Sequence, residues 1–310
     1  MVARPYQSAG LIFLVAIGSD SLWQACGMWP KQIDEAVNDG DDVDPRRDLW
    51  RRGSYEIVGD WLAPASLSVL DAVDAPLAGV LAGQRVLDLA TGTGTVAIEA
   101  ARRGAGVTGV DLTDELLEIA RQRASAAGVQ VRFLRGDFDQ LSESLGDEVF
   151  DVVTSSFGVI FAPSAEATLG GLTPHVATGG LFAVAGWDPA GVFIVPESML
   201  ELLPERPNMP DMTWWTTRIE ELCAATSWEV TTAEVDELHI PFESVEDAAD
   251  QLERWSGGFG ALLEMFDQAG VGPEARTQFV SHLGSFVEPT SDGVLLRATY
   301  FTNVLRPVVT

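Results

Sequence analysis

From Leu81 to Trp187 the chain alternates short apolar runs with segments of helical spacing, and this rhythm narrows its fold more than any other feature. The runs RVLDLA, GVTGVDL, VRFLRGD, FDVVTSSF and GLFAVAGW are rich in β-branched and aliphatic residues. Helical segments of about 12 to 15 residues separate them, as crossover helices do on a parallel sheet. The first helix is predicted to begin at Thr95 and end at Gly104. The second takes Thr113 as its cap, carries Asp114 and Glu115 in its first turn, where the helix dipole favours acids, and stops at Gly128.

After Trp187 the rhythm changes. Residues 189–210 carry several prolines and few helix signals, so they read as a long covering segment. A helix near Thr217 to Ala225, strand material from Trp228 to Phe242 and helical stretches from Ser244 to Glu288 follow. The final run GVLLRATYF closes the sheet, which makes the fold α/β, mostly parallel with a late antiparallel strand. At the other end, AGLIFLVAIG (9–18) is too short to span a bilayer and is read as a helix that docks on the core or on a second subunit. The acidic, turn-rich NDGDDVDPRRD (38–48) links it onward. The division predicted is an N-terminal helical lid or dimerisation element (1–48) and a larger domain (49–310). That domain divides into a ligand-binding core (49–187) and substrate-covering segments with the last strands (188–310).

Of the 310 residues 46% are hydrophobic, enough for one large domain with an appendage. The net charge of −27 argues against a nucleic-acid partner, because phosphate binding needs a basic patch. Cys26 and Cys223 lie far apart with no metal-type spacing, which points to a reduced, cytosolic setting and no bound metal.

The stretch VLDLATGTGTVAIEAARRG (86–104) places an acid, Asp88, at the end of an apolar strand and a glycine-rich turn before a helix. Such a turn brings ligand to the carboxyl edge of a sheet, where glycine lets the backbone approach. A dinucleotide site would need G-x-G-x-x-G, but Ala97 stands where the third glycine belongs. Asp88 would also repel a pyrophosphate, whereas it suits a cationic amino-acid tail.

The order DLATGTG resembles the first motif of class I S-adenosylmethionine-dependent methyltransferases, (D/E)-x-G-x-G-x-G, with Ala90 in the place of the first glycine. That resemblance covers about Trp50 to Trp187 and is nearest to small-molecule enzymes of the ubiquinone and menaquinone type, whose W-x-x-G-x-Y is similar to WRRGSY here. It implies a Rossmann-like fold with S-adenosyl-L-methionine as cofactor. It sets Asp88, Ala90, Thr91, Gly92 and Gly94 around the amino-acid tail, with Tyr55 near its methionine part. By the same resemblance Asp111, with Leu112, would accept the ribose hydroxyls, Gly136 and Asp137 would meet the adenine amino group, and Phe138 the ring face. The end of the fourth strand, Ser155 to Phe157, would face the transferred methyl.

For the acceptor, Phe157, Trp187, Trp214, Trp215 and Trp255 are the candidate pocket residues. They form an aromatic wall for a small, largely apolar metabolite, as in secondary metabolism. His175 reads as a surface residue and His239 and His282 as structural, so no base is assigned. The fourth strand lacks the (D/N)PP(Y/F) pattern used on nucleobase or glutamine amino groups. Two alternatives stay open: a protein of the same fold that binds the cofactor but catalyses a non-methyl reaction such as a cyclisation, and a non-enzymatic cofactor-binding protein.

Overall fold

The computed structural model describes residues 45–308 except 75, 78, 80, 207, 208 and 210. The apolar run at 9–18 and nearly all of the predicted lid lie outside the described residues. Helices α1 (Pro45–Arg51) and α2 (Tyr55–Asp74) precede β1 (Arg85–Leu89), α3 (Thr95–Arg102), β2 (Gly106–Asp111), α4 (Asp114–Ala126), β3 (Val131–Arg135), α5 (Leu141–Leu145), β4 (Phe150–Ser156), α6 (Ala165–Leu172) and β5 (Val176–Trp187). Beyond them come α7 (Glu197–Leu200), α8 (Ile219–Ala225), β6 (Trp228–Phe242), α9 (Val245–Trp255), α10 (Gly257–Gln268), α11 (Gly272–Gly284), β7 (Val287–Pro289) and β8 (Val294–Pro307). The predicted boundary at 48/49 therefore falls inside α1.

These elements build one sheet in the order β3-β2-β1-β4-β5-β8-β6, with β7 paired on β8. The first five strands are parallel, while β8 runs antiparallel to β5 and to β6. The strand order reverses between β1 and β4, where ligands bind in open α/β sheets because the two chain connections diverge to opposite faces. The two central strands are apolar on both sides, as a doubly covered sheet requires: Val86, Leu87, Leu89, Val152 and Val153 are fully buried. Helix α2 lies against β4, β5 and β8. It buries Ala65, Val69 and Val73, spaced four apart on one face.

The helix limits follow their local chemistry. Gly104 and Gly128, with φ of 89° and 70°, end the segments of α3 and α4 in the left-handed conformation. Thr113 does stand at the N-cap of α4, but its hydroxyl makes no cap hydrogen bond. Asp111 instead fixes the approach to the helix, accepting from the Thr113 backbone N–H at 2.9 Å. The covering segment is mostly irregular, held together by α7 and a 3-10 turn at Met212–Trp215.

Candidate cofactor and acceptor site

A cavity of about 370 Å³ opens at the carboxyl ends of β1, β2 and β4, under α1, α2, α10 and the covering segment. Its lining combines a polar end rich in carboxylates with an apolar, aromatic end.

At the polar end β1 runs into the turn 90–94. Ala90 holds a φ of 51° and Gly92 one of 53°, so the chain doubles back, with Thr91 N–H donating to Val110 O (3.0 Å) and Gly94 N–H to Thr91 O (2.9 Å). Asp88 is buried and accepts from the hydroxyls of Thr91 (2.6 Å) and Thr154 (2.8 Å). Burial nonetheless outweighs these donors and pushes its carboxyl up to about 6. A cation beside it would recover the ionised form. Asp111, at the end of β2, accepts from Gly92 N–H through Oδ2 (2.8 Å) and from Thr113 N–H through Oδ1. Burial raises its pKa as well. Asp137 follows β3 and starts a 3-10 turn, its Oδ1 accepting from Asp139 N–H at 3.0 Å. Thus three carboxylates from three successive strand ends face one cavity, together with Thr91, Leu112, Gly136 and Phe138.

At the other end Phe157, directly after β4, takes a φ of 56° and stacks on Trp187 with ring centroids 3.9 Å apart and planes 15° from parallel. Phe193 meets Trp187 edge-on at 4.5 Å. Val195, Met212, Leu252, Phe259 and Leu262 complete this apolar end. Two hydroxyls mark the boundary between the ends. Ser156 Oγ and Tyr55 Oη are both buried, and Ser156 Oγ has no hydrogen-bond partner. Tyr55 Oη sits against the Gly257 backbone, and burial drives its phenol far above the ordinary range. An orphaned buried hydroxyl is costly, so Ser156 Oγ is poised for a ligand atom.

Several sequence-predicted residues lie elsewhere. Ser155 does not line the cavity. Its hydroxyl donates to Leu89 O (3.0 Å) and accepts from Val159 N–H (3.2 Å), because strand alternation turns it to the other face, and Ser156 takes the cavity position. Gly94 is also off the lining. A Cβ there would lie 3.0 Å from Ala120 Cβ, so this glycine serves the approach of α3 to α4. Trp215 is fully buried, edge-on to Phe182, as part of the core beneath β5. Trp214 packs on that core with the Arg218 guanidinium 3.6 Å above its ring. Trp255 carries Arg254 over its ring, and its carbonyl accepts from Ser54 N–H (2.8 Å). None of these three tryptophans lines the cavity. His175, read as a surface residue, is buried, with Nδ1 2.8 Å from Glu148 O.

Sequence reasoning missed Arg46, Trp61, Leu62, Phe193 and Phe259, all of which line the cavity, and it named Ser156 only within the stretch Ser155 to Phe157. For α2 a signal existed: Tyr55, Val58, Leu62 and Ser66 recur at helical spacing on one face. The cover residues had none.

The family profile described as a methyltransferase domain matches residues 86–180. An uncharacterised protein of Mycobacterium tuberculosis is 35% identical over 173 residues, covering 54% of this chain and 60% of that protein. The chain thus spans less than two thirds of the curated relatives it matches. The demethylmenaquinone methyltransferase of Thermus thermophilus is 42% identical over 110 residues, covering 35% of this chain and 49% of that enzyme. Among solved structures, a candidate methyltransferase from Bacillus halodurans superimposes with a TM-score of 0.50 at 18% identity, over 77% of this chain and 98% of that one. Sheet order, motif turn and family profile agree, and residues 86–180 of this chain match a methyltransferase domain.

Proposed function

We propose that this protein is an S-adenosylmethionine-dependent methyltransferase acting on a small, largely apolar metabolite, of the kind met in secondary metabolism. The observation that carries this reading is the arrangement of Asp88, Asp111 and Asp137 at three successive strand ends around one cavity that continues into an aromatic chamber. Three carboxylates are hostile to a pyrophosphate, whereas a cation at the Asp88 end, a diol at Asp111 and an amino group at Asp137 complement them. The raised pKa of Asp88 and the orphaned Ser156 hydroxyl are what a site built for a cationic, hydrogen-bonding ligand leaves unmatched when alone.

When bound, the cofactor supplies an electrophilic methyl group on sulfur. The chain's own residues bind, orient and keep out water. Asp88 and the 90–94 turn beside it would hold the amino-acid tail, and Asp111 the ribose. The Phe157–Trp187 stack with Phe193 would desolvate the acceptor, which strengthens each polar interaction inside. The likeness to a demethylmenaquinone methyltransferase supports an apolar, cyclic acceptor. Among the described residues no helix is long and apolar enough to cross a membrane.

The test is incubation with methyl-labelled cofactor and a panel of apolar hydroxyl, amine and carbon acceptors, following S-adenosylhomocysteine release. We expect micromolar cofactor affinity and label in one acceptor class. Binding without any methyl transfer across the panel, but with conversion of a substrate, would favour the cyclisation reading.

A further inference from the structure

Helix α1 reaches the polar end of the cavity with arginines that each meet an acid. Arg47 Nη2 lies 3.1 Å from Asp114 Oδ2 and Arg51 Nε 2.8 Å from Glu115 Oε1, both at the first turn of α4. The turn after α1 ties down the far side, with Arg52 Nη1 2.8 Å from Glu264 Oε2 of α10. Arg46 goes inward. Its Nη2 lies 2.5 Å from Asp137 Oδ2, the two side chains are only 18% and 13% exposed, and both residues line the cavity.

We propose that Arg46 is a positioning residue for the adenine ring, acting through Asp137; this rests on the cofactor reading above. A carboxylate on a surface turn can rotate about its last torsion. Here Oδ1 is held by Asp139 N–H and Oδ2 by the guanidinium, so the plane of the group is set from both sides. An oxygen accepts two hydrogen bonds, so Oδ2 keeps one lone pair for the exocyclic amino group of adenine. The charge-assisted bond from Arg46 orients that lone pair into the cavity, and it brings α1 over the ring as a roof. A fixed, negatively charged acceptor accepts from a 6-amino purine and repels a 6-oxo purine. A carboxylate released on one side can turn away from the oxo group, so discrimination should fall when Arg46 is removed.

The experiment is calorimetric titration of the full-length protein with S-adenosylhomocysteine and with its 6-oxo analogue, S-inosylhomocysteine. Wild type should prefer the adenine compound by about 100-fold, as the loss of one hydrogen bond to a charged group implies. Arg46→Ala should bind the adenine compound about tenfold more weakly and lose most of that preference. Arg46→Lys should recover part of it, since one charged donor suffices. Asp137→Ala should abolish the preference, and adding Arg46→Ala to it should change the ratio no further. Thermal melting of each variant checks that it folds. If Arg46→Ala weakens both compounds equally, α1 is only a cover and the proposal is overturned. If wild type binds neither compound, the cofactor reading itself fails and the proposal with it.

Discussion

A Cβ added to Gly158 would lie 2.3 Å from the Cβ of Ala90. The two positions are complementary. Ala90 stands where the motif ordinarily has glycine and holds a left-handed φ of 51° despite its side chain. Gly158 has an ordinary φ of −99° and needs no glycine for its conformation, only for the space. The methyl group that the motif turn gained is accommodated by one that the loop after β4 lacks.

Gly158→Ala should therefore destabilise the protein by about 1 to 3 kcal/mol through overpacking. Ala90→Gly alone should be neutral or stabilising by up to about 1 kcal/mol, because the strained φ is relieved. Introducing Ala90→Gly into Gly158→Ala should restore most of the loss. A urea-denaturation double-mutant cycle measures this, and an additive cycle would show that the two sites do not sense each other.

The buried Asp88 makes stability depend on pH. Its carboxyl, ordinarily at 3.8, is raised to about 6, so folding favours the protonated form. That contribution is complete below about pH 4 and is lost as pH rises through about 6. Asp88→Asn cannot ionise. Its stability relative to wild type should rise by a few kcal/mol at most between about pH 4 and about pH 7. Denaturant midpoints across this window check the slope; parallel curves for the two proteins would remove Asp88 as its source.

The same group links cofactor affinity to pH with the opposite demand. A cationic tail stabilises the carboxylate, so binding near pH 5 should release close to one proton and affinity should improve as pH rises through about 6. Calorimetry in buffers of different ionisation enthalpy reads the proton count. A count of zero in both wild type and Asp88→Asn would separate Asp88 from the tail.

Asp111→Ala should weaken S-adenosylhomocysteine binding by about 1.5 to 3 kcal/mol, the range for hydrogen bonds to a charged group. The same change strands Gly92 N–H, which now donates to Asp111, and so loosens the motif turn as well. Unchanged affinity would refute the ribose assignment.

Two buried tryptophans, Trp187 and Trp215, should behave differently. Trp215→Ala should cost about 3 to 5 kcal/mol of stability, as core truncations of large aromatics do, with cofactor affinity unaltered in the folded fraction. Trp187→Ala should instead raise the acceptor KM, because Trp187 lines the cavity in contact with Phe157 and Phe193. Equal melting temperatures for wild type and Trp215→Ala would contradict its placement.

What the sequence determined by itself is the periodic and the local. Alternating strands and helices, the acid–glycine turn at 88–94 and the acids closing β2 and β3 were all legible, because strand alternation, glycine's conformational freedom and charge at a strand end act within a few residues. Tertiary structure alone decided which of two adjacent serines faces the cavity. The reason is that a one-residue step in a strand reverses the side chain, and register is set by the neighbouring strands β1 and β5. It also decided which tryptophans are core and which are wall, since Trp187 ends β5 while Trp215 folds back beneath it. Arg46 meets Asp137 across 91 residues of sequence, and no local pattern encodes that distance. It arises only when α1 and the end of β3 are brought to the same edge of the sheet.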